Sequence, residues 1–241
     1  MLEQPEAEQT DVDAHLVGEV AVSVLIDAGA VLASSLDLST TMGQVAQLTV
    51  PRLADLCVID LRDEDGTIRD VAVACKQEEL ARELEELRVD HPLDPDGEHP
   101  VAQVLRSGQP ALLPQMSSAL LTSFAQGSKH AEFMIEHGYR SAVVAPLLAG
   151  ERTLGALSVL RLGGGTPYGQ EDLRFVCELA RRAALAIDNA RLYSQVRSVE
   201  RRLEAILVNL AEAITVVDER GHTVFANQAA ADLLHVASPE V

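Results

Sequence analysis

The feature that most constrains this chain is the stretch from Gln170 to Arg220, which contains no glycine and no proline. Apolar residues recur along its first part at spacings of three and four, as on one face of an amphipathic helix. At about 1.5 Å per residue such a helix would span roughly 57 Å, which is too long to pack against one small domain. We therefore expect its first part to pack on a preceding domain and its second part to leave that domain.

The second part of this predicted helix has the spacing of a coiled coil. Its apolar residues step by four and three with charged residues between them, which is a heptad pattern. The following five residues are called the heptad seam: Leu192, Val196, Val199, Leu203 and Ile206. Such a stripe can also lie in the core of a monomer, but little sequence follows that could bury it. We therefore predict a homodimer that is joined through the heptad seams of two parallel terminal helices.

The composition argues against several classes of partner. A net charge of −18 and an isoelectric point near 4.7 disfavour nucleic acid and anionic membranes, because both select clustered lysine and arginine. No apolar run reaches the roughly 18 residues of a membrane span, and the acidic start of the chain is unlike a signal peptide. The three cysteines are widely spaced, as in proteins of a reducing compartment. We expect a cytoplasmic protein with no nucleic-acid or membrane partner.

The elements before the long helix predict an α+β fold. The predicted helices cover 12–36, 39–53, 76–88 and 117–137, with a kink or an early end at Pro51 and a further helical turn at 101–106. The predicted strands cover 56–61, 67–74, 111–113, 141–148 and 153–162. Ser39 or Thr40 is expected to cap the second helix. Turn signals join neighbouring strands into hairpins, and amphipathic helices at both ends can cover a sheet face. We therefore predict an antiparallel sheet between helical layers.

Three runs of residues carry a family resemblance. They read ADLCVIDL at 54–61, VAPLLAGERTLGALSV at 144–159 and AIDNARLY at 186–193. Together they resemble a GAF domain, and the resemblance extends over residues 15–193. It implies a small-molecule or redox-sensing module of bacterial signalling proteins, such as the sensor histidine kinases of two-component systems. It also implies a GAF-like antiparallel sheet between helical layers and dimerisation through the terminal helices.

The sequence after the heptad seam predicts a third hairpin over 213–217 and 222–226, followed by a helix over 229–236. This segment resembles the opening of a PAS domain. One hairpin and one helix are too little for a stable domain, so we expect further strands after Val241. The predicted organisation is a disordered N-terminus at 1–11, a GAF domain at 12–190, a coiled-coil signalling helix at 191–207 and a truncated N-terminal part of a PAS domain at 208–241.

The sequence contains none of the catalytic motifs GxSxG, HExxH and GxxxxGK[ST]. We therefore expect no enzyme activity in these residues. The predicted function is a sensory module, in which a GAF pocket binds a small molecule and relays its occupancy through a dimeric helix to the PAS domain and an output domain. One alternative is that the chain belongs to a histidine kinase, a serine phosphatase or a diguanylate cyclase whose catalytic domain lies elsewhere. Another is a dimerisation module without a ligand.

We expect the ligand pocket between the sheet and the segment Ser117–His137. Such pockets are mostly apolar with a few convergent polar groups. The candidate ligand-binding residues are Ile59, Phe124, His130, Phe133, Met134, Val144 and Ser158. The alternative is that these side chains only fill the core. The sequence leaves the identity of the ligand open.

The sequence gives little support for a cofactor or a metal. Some GAF domains hold haem through a histidine near the position of His137, but a histidine just before a glycine cap already interacts favourably with the helix dipole. The cysteine–histidine pair that attaches a bilin in phytochrome-like GAF domains is absent. Asp94, Asp96 and Glu98 lack the spacing of a calcium loop. The sequence therefore leaves the cofactor unknown, disfavours haem and bilin, and predicts no bound metal.

The three cysteines are expected to be structural thiols. Cys57 lies in an apolar predicted strand and Cys177 on the packed part of the long helix, where free cysteine behaves as a small buried hydrophobe. Cys57 and Cys75 lie near opposite ends of one hairpin. Whether they share a face of the sheet depends on the strand register, which the sequence leaves open.

Overall fold

The computed structural model describes residues 23–32, 37–63, 66–210 and 212–234 of the chain. The predicted disordered segment at 1–11 lies outside the described residues, and the first predicted helix is described only over 23–32. The chain divides into two compact units, one that ends at Ala190 and one that begins at Arg191. None of the described helices is both long and apolar enough to cross a membrane.

The first unit is built from one sheet and the helices around it. Its helices are α1 (23–32), α2 (Leu38–Thr49), α3 (Glu78–Asp90), α4 (Pro100–Ser107), α5 (Ser118–Phe124), α6 (Ser128–Glu136) and the first part of α7 (Gln170–Asn209). Its strands are β1 (Leu56–Arg62), β2 (Ile68–Cys75), β3 (Ala111–Leu113), β4 (Tyr139–Ala149) and β5 (Arg152–Leu162). The predicted α+β class and the long C-terminal helix are confirmed.

The sheet has five strands in the order β2-β1-β5-β4-β3, and every neighbouring pair is antiparallel. The hairpin of β4 and β5 forms its centre, and β1 pairs with the other side of β5 from Leu56 opposite Leu160 to Leu61 opposite Gly155. Helices cover both faces of these central strands. Their sequences therefore read as almost unbroken apolar runs instead of a simple alternation.

Side chains of successive strand residues enter two different cores, because the side-chain period of a strand is two. On one face, called the α7 face, Cys57, Ile59 and Leu61 pack with residues of α1, α2 and α7. On the other face, called the cavity face, Leu56 and Val58 pack with residues of α3, α5 and α6. A smaller cluster on the sheet contains residues of α4.

Helix α7 packs on the sheet through small side chains. Its buried stripe in the first unit consists of Val176, Leu179, Ala180, Ala183, Ala184 and Ile187. Alanine adds little side-chain bulk, which lets a helix lie close to a sheet. Arg182 on this helix also donates from Nη1 to the carbonyl oxygen of Leu25 at 3.0 Å. This bond joins α7 to α1 on the same face.

Two local predictions were wrong. Helix α2 is capped by Asp37, whose Oδ1 accepts from the backbone N–H of Thr40 at 2.7 Å, and not by Ser39 or Thr40. The segment predicted as one helix over 117–137 forms α5 and α6, which are separated at Gly127. The φ angle of Gly127 is 99°, a value that L residues with a side chain rarely adopt, so the helix breaks there.

Tyr168 and Gly169 anchor the start of α7. The Tyr168 hydroxyl donates to the carbonyl oxygen of Leu53 at 3.0 Å, and its backbone N–H donates to Oγ of Ser141 at 3.0 Å. The N–H of Gly169 donates to Oδ2 of Asp172 at 2.8 Å, which is half of a capping box. The phenol therefore contributes a hydrogen bond that a phenylalanine at this position would lack.

The second unit contains the last part of α7, the hairpin of β6 (Thr215–Val217) and β7 (Thr223–Ala226), and α8 (Gln228–Leu234). Buried Asn227 connects these elements. Its Oδ1 accepts from the backbone N–H groups of Ile214 and Ala230, and its Nδ2 donates to the carbonyl oxygens of Leu210 and Glu212. The five residues of the heptad seam are each between 50% and 58% exposed.

A glycine substitution tests the closeness of β1 and β5. A Cβ on Gly155 would lie 2.1 Å from the carbonyl oxygen of Asp60, so Gly155→Ala forces the two strands apart. We expect it to lower the free energy of unfolding by about 1–3 kcal/mol or more, as overpacking does. The control is Gly43→Ala in α2, where a Cβ meets no atom within 4 Å. It should raise the free energy by about 0.5–1 kcal/mol.

Urea unfolding followed by circular dichroism measures both values. Equal stability of the Gly155→Ala and unmodified proteins would show that the strands do not approach as closely as described.

Candidate functional site

A buried cavity of about 50 Å³ lies on the cavity face of the sheet, beneath α3, α4, α5 and α6. Its walls are mostly apolar, with a small number of polar side chains. The strands and the loop before α5 contribute Leu56, Val58, Leu113, Met116, Tyr139, Ala142, Val144, Ser158 and Leu160. The helices and their caps contribute Leu84, Arg88, His99, Pro100, Val101, Phe124, His130 and Met134.

The volume limits what the cavity can hold. A cavity needs at least about 10–15 Å³ to hold one water molecule, so a volume of about 50 Å³ has room for a few waters. Pockets for drug-sized ligands occupy about 300–1,000 Å³. The cavity therefore suits a molecule of a few non-hydrogen atoms. Met116 and Met134 can adapt to somewhat larger molecules, because methionine side chains are unbranched and flexible.

A buried ion pair lies at this site. Arg88, in the last turn of α3, donates from Nη1 to Oδ1 of Asp60 on β1 at 3.2 Å. The side chain of Arg88 is 9% exposed and that of Asp60 is 0% exposed. Removing either charge alone would leave the other buried without its counter-ion, at a cost of several kcal/mol. Nε of Arg88 is buried and has no hydrogen-bond partner among the described residues.

Two histidines, His99 and His130, also line the cavity. Nδ1 of His130 accepts from the backbone N–H of Gln126 at 3.1 Å, and Nδ1 of His99 accepts from that of Val101 at 3.3 Å. The two rings stack with their centroids 5.7 Å apart. Because each Nδ1 accepts a hydrogen bond, the proton of each neutral ring lies on Nε2, which is then a donor.

Both histidines are held in the neutral form. Burial, followed by the nearby Arg88 charge, lowers the pKa of His130 to about 4. The same causes hold the pKa of His99 well below its usual range. Burial also raises the pKa of Tyr139, whose hydroxyl therefore keeps its proton. The ion pair at the cavity is that of Arg88 and Asp60.

Ser158 lies in the floor of the cavity on β5. In the strand register it stands between Val58 of β1 and Val144 of β4, which are apolar neighbours on both sides. Its side chain is nearly enclosed, since the residue is 5% exposed, and Oγ has no hydrogen-bond partner among the described residues. A buried hydroxyl without a partner typically costs about 1–3 kcal/mol. This position therefore favours a bound polar group.

The structure brings five of the seven candidate residues to the cavity: Phe124, His130, Met134, Val144 and Ser158. Ile59 is corrected, because it points to the α7 face while its neighbour Val58 lines the cavity. Phe133 also lies outside the lining, since its ring packs against His137 and Tyr139. His137 is bonded through Nε2 to Glu83 at 3.1 Å and does not line the cavity.

Sequence reasoning missed Arg88, His99 and Tyr139. Arg88 belongs to a segment rich in glutamate and arginine that was predicted to be a surface helix. A signal was present, because Arg88 continues the spacing of buried Leu80 and Leu84 by a further four residues. His99 precedes Pro100 at the start of α4, which is a cap position that gives no indication of a cavity.

The cysteines do not form a pair. Cys57 is opposite Ala74 and Cys75 is opposite Leu56, so Cys57 points to the α7 face and Cys75 to the cavity face. Burial raises the pKa of Cys57 to about 12 and also raises the pKa values of Cys75 and Cys177. All three thiols are free and protonated at neutral pH. Across the described ranges, no group of three or more metal-ligating side chains is present.

The class of protein follows from an antiparallel sheet that has helices on both faces and a cavity between one face and its helices. The sequence model of the GAF domain family matches residues 37–187, which is more than half of the chain. The chain therefore belongs to the GAF domain family. GAF domains commonly act as sensory or regulatory modules of signalling proteins.

Solved structures agree with this fold. The GAF domain of a phosphoenolpyruvate-protein phosphotransferase from Coxiella burnetii has 17% identity and a TM-score of 0.55, over 73% of this chain and 96% of that chain. The corresponding domain from Acinetobacter has 16% identity and a TM-score of 0.54, over 71% and 94%. Free methionine-R-sulfoxide reductase from Neisseria meningitidis, solved with its substrate, has 15% identity and a TM-score of 0.53, over 80% and 97%.

At these identities the structural likeness shows the fold alone. A search of curated proteins finds no match to the chain.

The neutral state of His130 predicts a pH dependence of stability. The unfolded chain binds a proton at this histidine below about pH 6.5, whereas the folded chain binds it only below about pH 4. The unfolded state therefore binds more protons within this window, and stability falls as the pH is lowered from 6.5 to 4, by about 3 kcal/mol. His99, shifted in the same direction, adds to the loss.

The measurement is urea unfolding of the unmodified protein and of His130→Leu at several pH values. The difference between the two proteins cancels the carboxylates that both contain. We expect the stability of His130→Leu to fall less steeply between pH 6.5 and 4. Parallel curves would contradict the buried neutral histidine.

Proposed function

We propose that this chain is a cytoplasmic sensory module of a bacterial signal-transduction protein, and that its GAF cavity binds a small molecule. One observation carries the proposal. The cavity is mostly apolar, yet Nε of Arg88 and Oγ of Ser158 are buried beside it without partners among the described residues. Buried polar groups are normally hydrogen-bonded, and those that are not point to a function such as ligand binding.

We further propose that occupancy is relayed through α7 in a homodimer. This helix is continuous from Gln170 to Asn209, so it carries both the stripe on the sheet and the heptad seam. The five seam residues are exposed, and an apolar stripe on a solvent-facing helix marks a site of interaction with another surface. We propose that the heptad seam packs against the same seam of a second chain. Heptad spacing of apolar residues is the pattern of coiled coils.

The domain organisation is proposed as GAF at 12–190, a signalling helix at 191–207 and the N-terminal part of a PAS domain at 208–241. The order hairpin then helix in β6, β7 and α8 supports the PAS assignment. We propose that these residues have no catalytic activity of their own. The output would be a separate domain of the parent protein, a histidine kinase in the first place, and a serine phosphatase or diguanylate cyclase as alternatives.

A second candidate function is dimerisation without a ligand. The small volume of the cavity favours this alternative, since water alone can occupy 50 Å³. A ligand and a water-filled cavity differ in mass, which provides the test.

Native mass spectrometry of protein purified from its own host should show a bound small molecule. Ala142→Leu enlarges a side chain in the cavity wall and should remove the bound mass. Ala119→Leu, on the exposed side of α5, is the matched control and should retain it. Detection of the unliganded mass alone, in protein that melts cooperatively, would support the dimerisation module.

The dimer is tested by Leu203→Asp. Burial of a leucine side chain contributes about 1.5–3 kcal/mol, and the aspartate also places a charge in the seam, so the dimer should dissociate at concentrations where the unmodified protein is dimeric. The control is Ser198→Asp, which adds the same charge on the same helix outside the seam. Sedimentation velocity at tens of micromolar separates the species. A monomeric unmodified protein would contradict the proposed seam contact.

A further inference from the structure

The polar groups of the cavity share one chemical property, which is that they are hydrogen-bond donors. Nε of Arg88 carries a hydrogen and has no partner in the described part of the chain. The rings of His99 and His130 use Nδ1 as an acceptor for backbone N–H groups and therefore carry their protons on Nε2. The Ser158 hydroxyl can also donate. A molecule that satisfies these groups must contribute acceptors.

The charge of the site is already balanced. The guanidinium of Arg88 is paired with the carboxylate of Asp60, and both are shielded from water. The two histidines are uncharged, because burial and the neighbouring Arg88 disfavour their protonation. An anion in this cavity would leave one negative charge buried without a counter-ion, which is strongly unfavourable. An ammonium group would meet donors and a positive neighbour.

We propose that the cavity binds an uncharged molecule that accepts hydrogen bonds through a carbonyl oxygen and carries a short alkyl group. The carbonyl oxygen accepts from Arg88 and Ser158, and the alkyl group packs against Val58, Val144 and Met134. A small ketone, ester or lactone has this chemistry. The proposal rests on the proposed sensory function and specifies the ligand class for the same cavity.

The size of the cavity agrees with this class. A volume of about 50 Å³ admits a carbonyl group with a few carbon atoms. Each carbonyl oxygen has two lone pairs and can accept from two donors at once. A purely apolar molecule of the same size would leave Nε of Arg88 and Oγ of Ser158 without partners, at the usual cost of buried unsatisfied groups.

The experiment compares four probes with the same number of non-hydrogen atoms: butanone, propionate, 2-aminobutane and 2-methylbutane. Binding is followed by NMR of the protein labelled with ¹³C at its methionine methyl groups. Met134 and Met116 line the cavity, whereas Met42 packs on the α7 face and serves as an internal control. We expect butanone to shift the Met134 resonance in a saturable manner at lower concentration than the other three probes, with the Met42 resonance unchanged.

Two variants test the donors, and a third is the control for Ser158→Ala. Ser158→Ala removes the hydroxyl without a partner and should raise the Kd of butanone about three- to tenfold, the effect of one lost hydrogen bond. The control is Ser141→Ala, another buried serine on the central hairpin, whose Oγ is bonded to Leu113 and Tyr168. It should lower the melting temperature and leave the Kd unchanged. Arg88→Lys keeps a charge for Asp60 but deletes the Nε donor, and should also weaken butanone binding.

Three outcomes would overturn the proposal. Propionate or 2-aminobutane that saturates Met134 at lower concentration than butanone would show that the cavity selects a charged ligand. Equal binding of 2-methylbutane, with Ser158→Ala unaffected, would show that the donors are not used. No shift with any probe would exclude this ligand class. The bound mass in the host-purified protein is measured independently, so the proposed function can stand or fall separately from the ligand class.

Discussion

The covering of one sheet by helices on both faces is the constraint on which the rest of this structure depends. It places β1, β4 and β5 in the interior, where most residues are apolar and buried polar groups are normally hydrogen-bonded. Where β5 pairs with β1, Gly155 has no room for a side chain, because a Cβ would lie 2.1 Å from the carbonyl oxygen of Asp60. The two cores that result have different characters. The α7 face is filled by apolar side chains, several of them alanines of α7, whereas the cavity face leaves a space beside polar groups.

The Arg88–Asp60 pair shows how a charged helix residue can belong to an interior. Arg88 stands near the C-terminal end of α3, where the helix dipole favours a positive charge, and it meets Asp60 on the central part of the sheet. The pair joins the covering helix to the strand beneath it. It also sets the electrostatics of the cavity, because Arg88 helps to keep His99 and His130 neutral. One ion pair thus has a structural and an electrostatic effect.

The order of elements, the antiparallel sheet and the long helix could be predicted from the sequence, because periodicity and turn residues are local signals. The face of the sheet to which Ile59 points could not. In strands buried on both sides, neighbours such as Val58 and Ile59 are equally apolar, and no polar alternation distinguishes the two faces. Arg88 was missed because the many charged residues of α3 indicated a surface helix, although Arg88 continues the four-residue spacing of the buried Leu80 and Leu84. The break at Gly127 was missed because a single glycine is tolerated within helical patterns.

The position of the cavity relative to α7 has a further consequence. The cavity and the helix contact opposite faces of the same strands, so only the thickness of the sheet separates them. On β5, Ser158 lines the cavity, and its covalent neighbours Leu157 and Val159 belong to the core that α7 helps to form. One peptide unit thus separates the Ser158 hydroxyl from residues that pack in the same core as the helix. The central strands therefore form a wall of the cavity on one side and of the α7 core on the other.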